Sequence, residues 1–228
     1  MNLEKPIRIH SDLEDGSHLS CGLNSIISIL YTLGFKINIV ELNRKLVEWD
    51  KELKFGGIFT VDKIVDTLEF IKKTEGIEFN YKIKQFNSAV ELDSILRESN
   101  EYALVCYYAL QGFIRVSKHP SMEHSHFGVI YRYEDGKLWG SQSNNKANML
   151  RCLEHVSIES FVESCNTVNK IKVNWGKYSK CSICIGKRQL EDKARCGKTE
   201  CALGLENSTK CICSPTIGNK IILIGVNG

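Results

Sequence analysis

Apolar side chains recur at helical spacing near the start of the chain, after an extended and polar lead-in over residues 1–20. A helix is predicted from Cys21 to about Leu33, because apolar residues return there every three or four positions. Ser20 has a side chain that helix N-caps prefer, and Gly34 suits the end of the helix. The buried face of this helix would carry Leu23, Ile26, Ile27, Leu30 and Leu33.

The same periodicity predicts further helices along the chain. One runs from about residue 39 to 53, and another begins after Thr60, which can cap it. Shorter helices are expected over residues 88–98 and 157–164. The buried stripe of the helix after Thr60 would be Val61, Ile64, Val65, Leu68 and Ile71.

Strand patterns dominate the second half of the chain. Two strand-like runs flank Glu134-Asp135-Gly136-Lys137, a strong signal for a β-hairpin. Helices first and an antiparallel sheet second indicate an α+β fold, expected here as one domain over residues 1–228. The predicted strands cover residues 77–84, 102–108, 126–133, 138–143, 169–175 and 220–226.

Residues 176–217 interrupt this pattern and hold six of the ten cysteines, so they are interpreted as an insertion within the domain. Thiolates one or two residues apart can present two sulfurs to one tetrahedral zinc ion, which makes a structural zinc site one hypothesis. A disulfide-stapled loop and free surface thiols are the alternatives. The candidate ligands are Cys181, Cys184, Cys196, Cys201, Cys211 and Cys213. The ordinary core or surface thiols would be Cys106, Cys152 and Cys165.

Composition and charge exclude several classes of protein. Hydrophobic residues make up 43% of the chain and charged residues 25%, which is ordinary for a globular protein. A net charge of +3 without a basic and aromatic stripe argues against a nucleic-acid partner. Neither a secretory leader nor an apolar stretch of ~18 residues is visible, so a cytoplasmic protein without a membrane partner is expected.

Cys21 and His126 are the residues with the clearest catalytic potential. A thiol becomes a nucleophile as a thiolate, and the unpaired amides at a helix N-terminus together with a nearby imidazole favour that form. Gly22 would leave room for a substrate backbone beside Cys21. His126 begins a predicted strand and can supply the base, with no cofactor needed. His124 is the rival base, expected on the same strand face.

The register of the hairpin decides which side chain orients the imidazole. With a two-residue turn at Asp135-Gly136, His126 would pair near Asn145 and share its face with Ser141 and Ser143. Each of these side chains is then a candidate for the third group.

With a three-residue loop and a bulge at Gly136, the register shifts by one. His126 would then pair near Asn144, and Gln142 and Asn144 would share its face. An amide oxygen can accept from the ring N–H and fix the tautomer.

The donors for an oxyanion should come from the Cys21 N–H and from one group just upstream. The upstream segment offers Glu14, Ser17 and His18 but no glutamine.

Several separated motifs together resemble those of the actin maturation proteases, papain-like cysteine peptidases of the eukaryotic cytosol. Leu-Glu-Asp-Gly at residues 13–16 is similar to the Leu-Gln-Asp-Gly-Pro that precedes that family's nucleophile. Gly57-Ile58-Phe59-Thr60-Val61-Asp62 is similar to its Gly-x-Phe-Ser-Val-Ala-Asp segment. The closing Gly218-Asn219-Lys220-Ile221-Ile222-Leu223 is similar to its final strand.

Two further motifs assign site residues by this resemblance. His126-Phe127-Gly128-Val129 is similar to the family's His-Trp-Ala-Val strand, which implies that His126 rather than His124 is the catalytic histidine. Ser141-Gln142-Ser143 is similar to its Lys-Gln-Gly-Lys-Ser stretch, which implies Gln142 as the third group. This chain departs from the pattern at Glu14, where the family has glutamine, and in two additional residues before Cys21.

The resemblance implies a papain-like fold and removal of an acetylated N-terminal Met or Cys from immature actin, with the actin N-terminus as the protein partner. A papain-like peptidase or acyltransferase with another substrate, such as a leader peptide, is the second interpretation. A catalytically impaired binding module is the third, since the expected glutamine and aspartate are missing.

Overall fold

The computed structural model describes residues 1–10, 12–14, 20–49, 61–110, 113–120, 124–142, 153–171, 173–174, 212–213 and 217–226. The helices within these ranges are α1 (Cys21–Thr32), α2 (Ile39–Trp49), α3 (Val61–Glu75), α4 (Ala89–Glu98) and α5 (Ile158–Val168). The strands are β1 (Asn80–Gln85), β2 (Tyr102–Leu110), β3 (Phe113–Ile114), β4 (Ser125–Glu134), β5 (Lys137–Gln142), β6 (Glu154–Ser157), β7 (Val173–Asn174), β8 (Ile212–Cys213) and β9 (Lys220–Gly225).

One seven-stranded antiparallel sheet forms the centre of the fold. Its strands follow the order β1-β9-β2-β4-β5-β6, and β3 pairs with the end of β2. Because successive side chains of a strand point to opposite faces, the apolar run of β2 fills both faces of the sheet. The described architecture therefore confirms the predicted α+β class with an antiparallel sheet.

Helices cover both faces of the sheet. Residues of α1, α2 and α3 pack with Leu104, Cys106 and Phe127 on one face, which we call the α1 face. Residues of α4 and α5 pack with Val105, Tyr107 and other residues of the opposite face, which we call the α5 face. In the described part of the chain, no helix combines the length and the apolar character that crossing a membrane requires.

Helix α1 is buried over most of its surface and carries no charged residue. Nine of its twelve residues are buried, and it packs against β4. Ser20 caps its N-terminus by accepting from the Leu23 N–H at 3.3 Å, as predicted. At its other end, Gly34 adopts a positive φ of 89°, which suits glycine.

The hairpin between β4 and β5 has both the two-residue turn and a bulge, which the sequence analysis treated as alternatives. Its turn has two residues, because Glu134 pairs with Lys137 and both Asp135 and Gly136 have positive φ. A register shift then follows between Ile130 and Arg132. The bulge therefore lies within β4, and not at Gly136 as the three-residue alternative proposed.

This shift decides which side chains share the face of His126. Gly128 pairs with Gln142, and His126 lies two residues before Gly128 on the same face of β4. Gln142 and His126 consequently lie on one face, whereas Ser141 pairs with Val129 and faces the other side. Asn144, Ser143 and Asn145 lie outside the described residues.

Most predicted elements are present with shifted ends. The helix expected over residues 157–164 continues to Val168, so the strand expected over 169–175 is reduced to Val173–Asn174. Asn169 and Lys170 form a turn instead. The predicted cap Thr60 lies outside the described residues.

The ends of the cysteine-rich segment are adjacent in space. Val173 pairs with Cys213 and Asn174 with Ile212 in the antiparallel pair β7–β8. The chain therefore returns to its point of departure, which is compatible with an insertion. The other five candidate zinc ligands lie outside the described residues, so the insertion and its zinc site stay predictions.

Two glycines allow a leucine to lie directly on the sheet. A Cβ atom at Gly140 would stand 2.7 Å from Leu153 Cδ1 and 2.8 Å from Leu153 Cβ. A Cβ atom at Gly128 would stand 2.6 Å from the same Cδ1. Leu153 is 1% exposed and belongs to the core of the α5 face, so these glycines determine how closely the core packs.

We expect Gly140→Ala to lower the free energy of unfolding by about 1–3 kcal/mol, because the added methyl group overlaps Leu153 and the Val129 carbonyl. Urea unfolding monitored by circular dichroism measures the change. The control is Lys137→Ala, an exposed position on the same strand. Equal stability of Gly140→Ala and the control would contradict the packing described here.

Candidate functional site

Cys21 is the first residue of α1 and is partly buried. The Ser20 hydroxyl and carbonyl oxygens accept from the N–H groups of Leu23 and Asn24, the latter at 2.8 Å. The backbone N–H groups of Cys21 and Gly22 favour the thiolate form of Cys21 and so act to lower its pKa. The sulfur therefore lies at the positive end of the helix dipole.

A third backbone amide, from the sheet, acts on the pKa of the same thiol. Burial raises the pKa of the Cys21 thiol above its ordinary value, and the N–H groups of Phe127, Gly22 and Cys21 oppose that rise. The Phe127 N–H belongs to the peptide bond that follows His126. The predicted nucleophile therefore lies near the strand that carries the predicted base. The two side chains belong to opposite faces of the sheet, because Cys21 packs in the core of the α1 face whereas His126 pairs with Tyr107 of the α5 face.

The hydrogen-bond pattern of β2 explains why the Phe127 amide is available. The Tyr108 N–H donates to Ser164 Oγ at 2.8 Å, and the Tyr108 carbonyl accepts from that hydroxyl and from the Arg115 N–H. Arg115 directly follows β3, so the Tyr108 backbone is directed away from β4.

Backbone directions alternate along antiparallel strands. Tyr107 and His126 are cross-strand partners, so their backbone groups face each other. The Phe127 backbone then points away from β2, toward the side of β4 that pairs with β5. The described part of β5 ends at Gln142, opposite Gly128, so the Cys21 sulfur lies beside β4 just beyond that strand.

His126 is partly buried and its imidazole is neutral at neutral pH. Burial, and to a lesser extent the nearby charge of His124, lower the pKa of His126 to about 4. The Tyr107 ring is its neighbour, with ring centroids 6.2 Å apart and planes inclined by 44°. The imidazole therefore carries no additional proton in the resting state.

Gln142 is also placed on this face and is 6% exposed. Its Oε1 atom accepts from the Tyr107 hydroxyl group at 3.0 Å. Tyr107 therefore contacts both Gln142, by this hydrogen bond, and His126, by its ring. Sequence reasoning missed Tyr107, although the predicted pairing of two strands would have placed an aromatic residue opposite the histidine.

The rival base His124 precedes β4, which begins at Ser125. Its ring meets the edge of the Tyr108 ring, with centroids 5.9 Å apart and planes at 86°. Tyr108 packs in the core of the α1 face, whereas Tyr107 packs in the core of the α5 face. The expectation that both histidines share one strand face is therefore wrong, because His124 lies outside the strand.

Glu14 lines a cavity of about 470 Å³ together with Arg8, His10 and Tyr31. Tyr31 lies ten residues along the helix from Cys21, which is ~15 Å at ~1.5 Å per residue. Ser17 and His18 lie outside the described residues, so the upstream oxyanion donor stays a prediction.

The other described thiols have different surroundings from Cys21. Cys106 and Cys165 are buried in the two cores, and burial raises the pKa of both thiols well above the usual value. These surroundings are those of inert core thiols. Within the described ranges, no group of three or more histidine, cysteine, aspartate or glutamate residues is arranged to hold a metal ion.

Comparison of the chain with protein-family models, with curated proteins and with solved structures finds no match. The functional interpretation therefore rests on the geometry of the site and on the motif resemblance.

Proposed function

We propose that this protein is a cysteine peptidase in which Cys21 is the nucleophile, His126 the general base and Gln142 the third group. The observation that carries the proposal is the position of the Cys21 sulfur. It lies at a helix N-terminus, and the Phe127 N–H, which follows His126 in the chain, is one of the backbone groups that lower its pKa. A buried nucleophile helix packed on a strand that carries the base supports a papain-like arrangement.

The resting site consists of a neutral thiol and a neutral imidazole, since burial disfavours both charged forms. The Cys21 thiol must therefore lose its proton while its sulfur attacks the substrate. The thiol proton passes to an imidazole nitrogen while the sulfur forms a bond to the substrate carbonyl carbon. The carbonyl oxygen gains negative charge, and backbone N–H groups at the start of α1 are suited to stabilise it.

The same two residues can complete the reaction. The imidazolium donates its proton to the leaving amine as the peptide bond breaks, which leaves a thioester on Cys21. A water molecule then gives a proton to the neutral imidazole and attacks the thioester. The acid is released and the thiol is restored.

For the substrate, we propose the acetylated N-terminus of immature actin, cleaved in the cytosol. The support is the set of motifs in residues 13–16, 57–62, 126–129, 141–143 and 218–223. A mildly basic chain with a net charge of +3 is compatible with an acidic substrate segment. Another peptide or acyl substrate would use the same nucleophile and base.

A catalytically impaired binding module is the second candidate. The raised pKa of the Cys21 thiol and the glutamate at position 14, where the resembled family has glutamine, favour it. The two candidates differ in one measurable property, because only a peptidase forms a covalent intermediate on Cys21.

Purified protein is expected to cleave the first residue from an acetyl-Met-Asp-Asp peptide, and Cys21→Ala is expected to abolish cleavage. The reason is that no thioester can form without the sulfur. Mass spectrometry of the products measures the reaction. Cys21→Ser is the matched control for shape, and cleavage of equal rate by the wild type and Cys21→Ala would sink the proposal.

His126→Ala is expected to reduce kcat by ~10²–10⁴-fold, the usual contribution of a general acid–base group. His124→Ala is the comparison variant, because that ring is the rival base and meets Tyr108 on the α1 face, where Cys21 also packs. Its kcat is expected to stay close to the wild-type value. A larger loss for His124→Ala than for His126→Ala would assign the base to His124.

Proton NMR of the imidazole Cε1–H signal is expected to show His126 titrating near pH 4. The folded state excludes the charged form, so the imidazole stays neutral as the pH falls below the ordinary pKa of 6.5 and is protonated only near 4. His126→Gln identifies the signal by removing it. A midpoint at or above 6.5 would show a solvated or ion-paired imidazole instead.

A further inference from the structure

The hairpin of β2 and β3 has one covered face and one exposed face. Leu110 and Phe113 pair directly across it, and their side chains are 37% and 62% exposed. The neighbouring pair, Ala109 and Ile114, packs in the core of the α5 face, where α5 contacts β3. Two large apolar side chains therefore lie exposed on the face that α5 does not cover.

The exposed pair continues the face of the sheet on which Cys21 packs. Alternate residues of a strand point to one face, and Tyr108, two positions before Leu110, packs in the core of the α1 face. Leu110 and its partner Phe113 therefore belong to the α1 face as well. Cys21 packs against the same core from the first turn of α1.

The distance from Cys21 to the exposed pair suits an extended peptide. Cys106 is the cross-strand partner of Phe127, whose N–H acts on the pKa of the Cys21 thiol, and it also packs in the core of the α1 face. Leu110 follows Cys106 by four residues on β2, which is ~13 Å at ~3.3 Å per residue. A substrate that is attacked at Cys21 and runs along this face would reach Leu110 after about four residues.

Arg115 adds a positive charge to the same surface. Its N–H donates to the Tyr108 carbonyl at 3.2 Å, which continues the pairing of the hairpin. Its guanidinium carbon lies 5.3 Å from the centre of the Phe113 ring, so the cation stands over the exposed aromatic side chain. In the part of the chain that the structure describes, no carboxylate forms an ion pair with Arg115. A peptide carboxylate beside the apolar pair would meet this charge.

Single exposed apolar residues are common at protein surfaces and need no partner. Here an apolar pair, a cation and the candidate nucleophile lie on one face, within the span of one extended peptide. We propose that Leu110, Phe113 and Arg115, which we call the hairpin subsite, bind the substrate segment that follows the cleaved bond.

The hairpin subsite defines a class of substrate. The segment lies after the cleaved bond, because the proposed substrate has only one acetylated residue before that bond. An apolar side chain about four residues beyond the acetylated one contacts Leu110 and Phe113, and an acidic side chain next to it contacts Arg115. This inference rests on the proposed function, and it adds a requirement for substrate residues distant from the reaction.

Peptide binding to the Cys21→Ala variant tests the hairpin subsite without catalysis. The probe is acetyl-Met-Asp-Asp-Glu-Leu-Gly-Gly, labelled with fluorescein at its C-terminus and followed by fluorescence anisotropy. We expect Phe113→Ala in this background to raise Kd by ~5–20-fold, because the apolar contact is lost. Val90→Ala is the matched control, since Val90 is 78% exposed on α4, which packs on the α5 face. Equal Kd values for Phe113→Ala and Val90→Ala would overturn the proposal.

Changes in the peptide assign each contact. With serine in place of the peptide leucine, we expect Phe113→Ala to cause no further loss of binding, because one contact is removed from either side. With glutamine in place of the peptide glutamate, we expect the same of Arg115→Gln. Lys84→Gln is the control for charge, because Lys84 is an exposed cation on the edge strand β1. Fully additive losses in either pair would contradict the proposed contacts.

Cleavage by the wild type separates this inference from the proposed function. We expect kcat/KM for the seven-residue peptide to exceed that for acetyl-Met-Asp-Asp by ~10-fold, and Phe113→Ala to bring this ratio close to one. A ratio that Phe113→Ala leaves unchanged would overturn the hairpin subsite and leave the peptidase proposal intact. Absence of cleavage of both peptides, with binding that still depends on Phe113 and on the peptide leucine, would overturn the proposed function and support the subsite.

Discussion

The packing of α1 against β4 is the constraint on which the candidate site depends. The helix has no charged residue and is buried over most of its surface, so its position in the core is strongly determined. Its N-terminus consequently meets β4 where the described part of β5 has ended. The Phe127 N–H points to that side of β4 and is one of the groups that lower the pKa of the Cys21 thiol.

Burial has a second consequence, which is electrical neutrality. The thiol and the imidazole both lose hydration, and both are held in their neutral forms at neutral pH. A thiolate–imidazolium pair would need its mutual attraction to exceed this desolvation cost. Three backbone amides at the sulfur are present in the resting structure, and they would stabilise negative charge once it develops there. The site therefore suits proton transfer during attack better than a permanently charged nucleophile.

The sequence predicted much of this arrangement and missed parts of it for identifiable reasons. The start of α1 followed from Ser20 and from the apolar spacing, and the hairpin turn followed from Asp135-Gly136. The bulge between Ile130 and Arg132 was not visible, because either residue type is compatible with a regular strand. That bulge, and not the turn, sets Gln142 on the face of His126.

The side-chain environment of the histidines was the part least accessible from the sequence. His124 and His126 are two residues apart, which predicted a shared face, but β4 begins only at Ser125. Tyr107 was overlooked because its contacts with His126 and Gln142 require a glycine, with no side chain, at position 128 of the strand between them. Contacts of this kind follow from register, which a single strand pattern does not define.

The crystal structure of the protein treated with N-acetyl-methioninal, an aldehyde analogue of the proposed substrate end, tests the central claim most directly. The account predicts a covalent bond between the Cys21 sulfur and the aldehyde carbon. The oxygen should face the N–H groups at the start of α1, and a His126 ring nitrogen should lie within ~3.2 Å of the adduct. An adduct on another cysteine, or one with His124 at this position, would contradict the account.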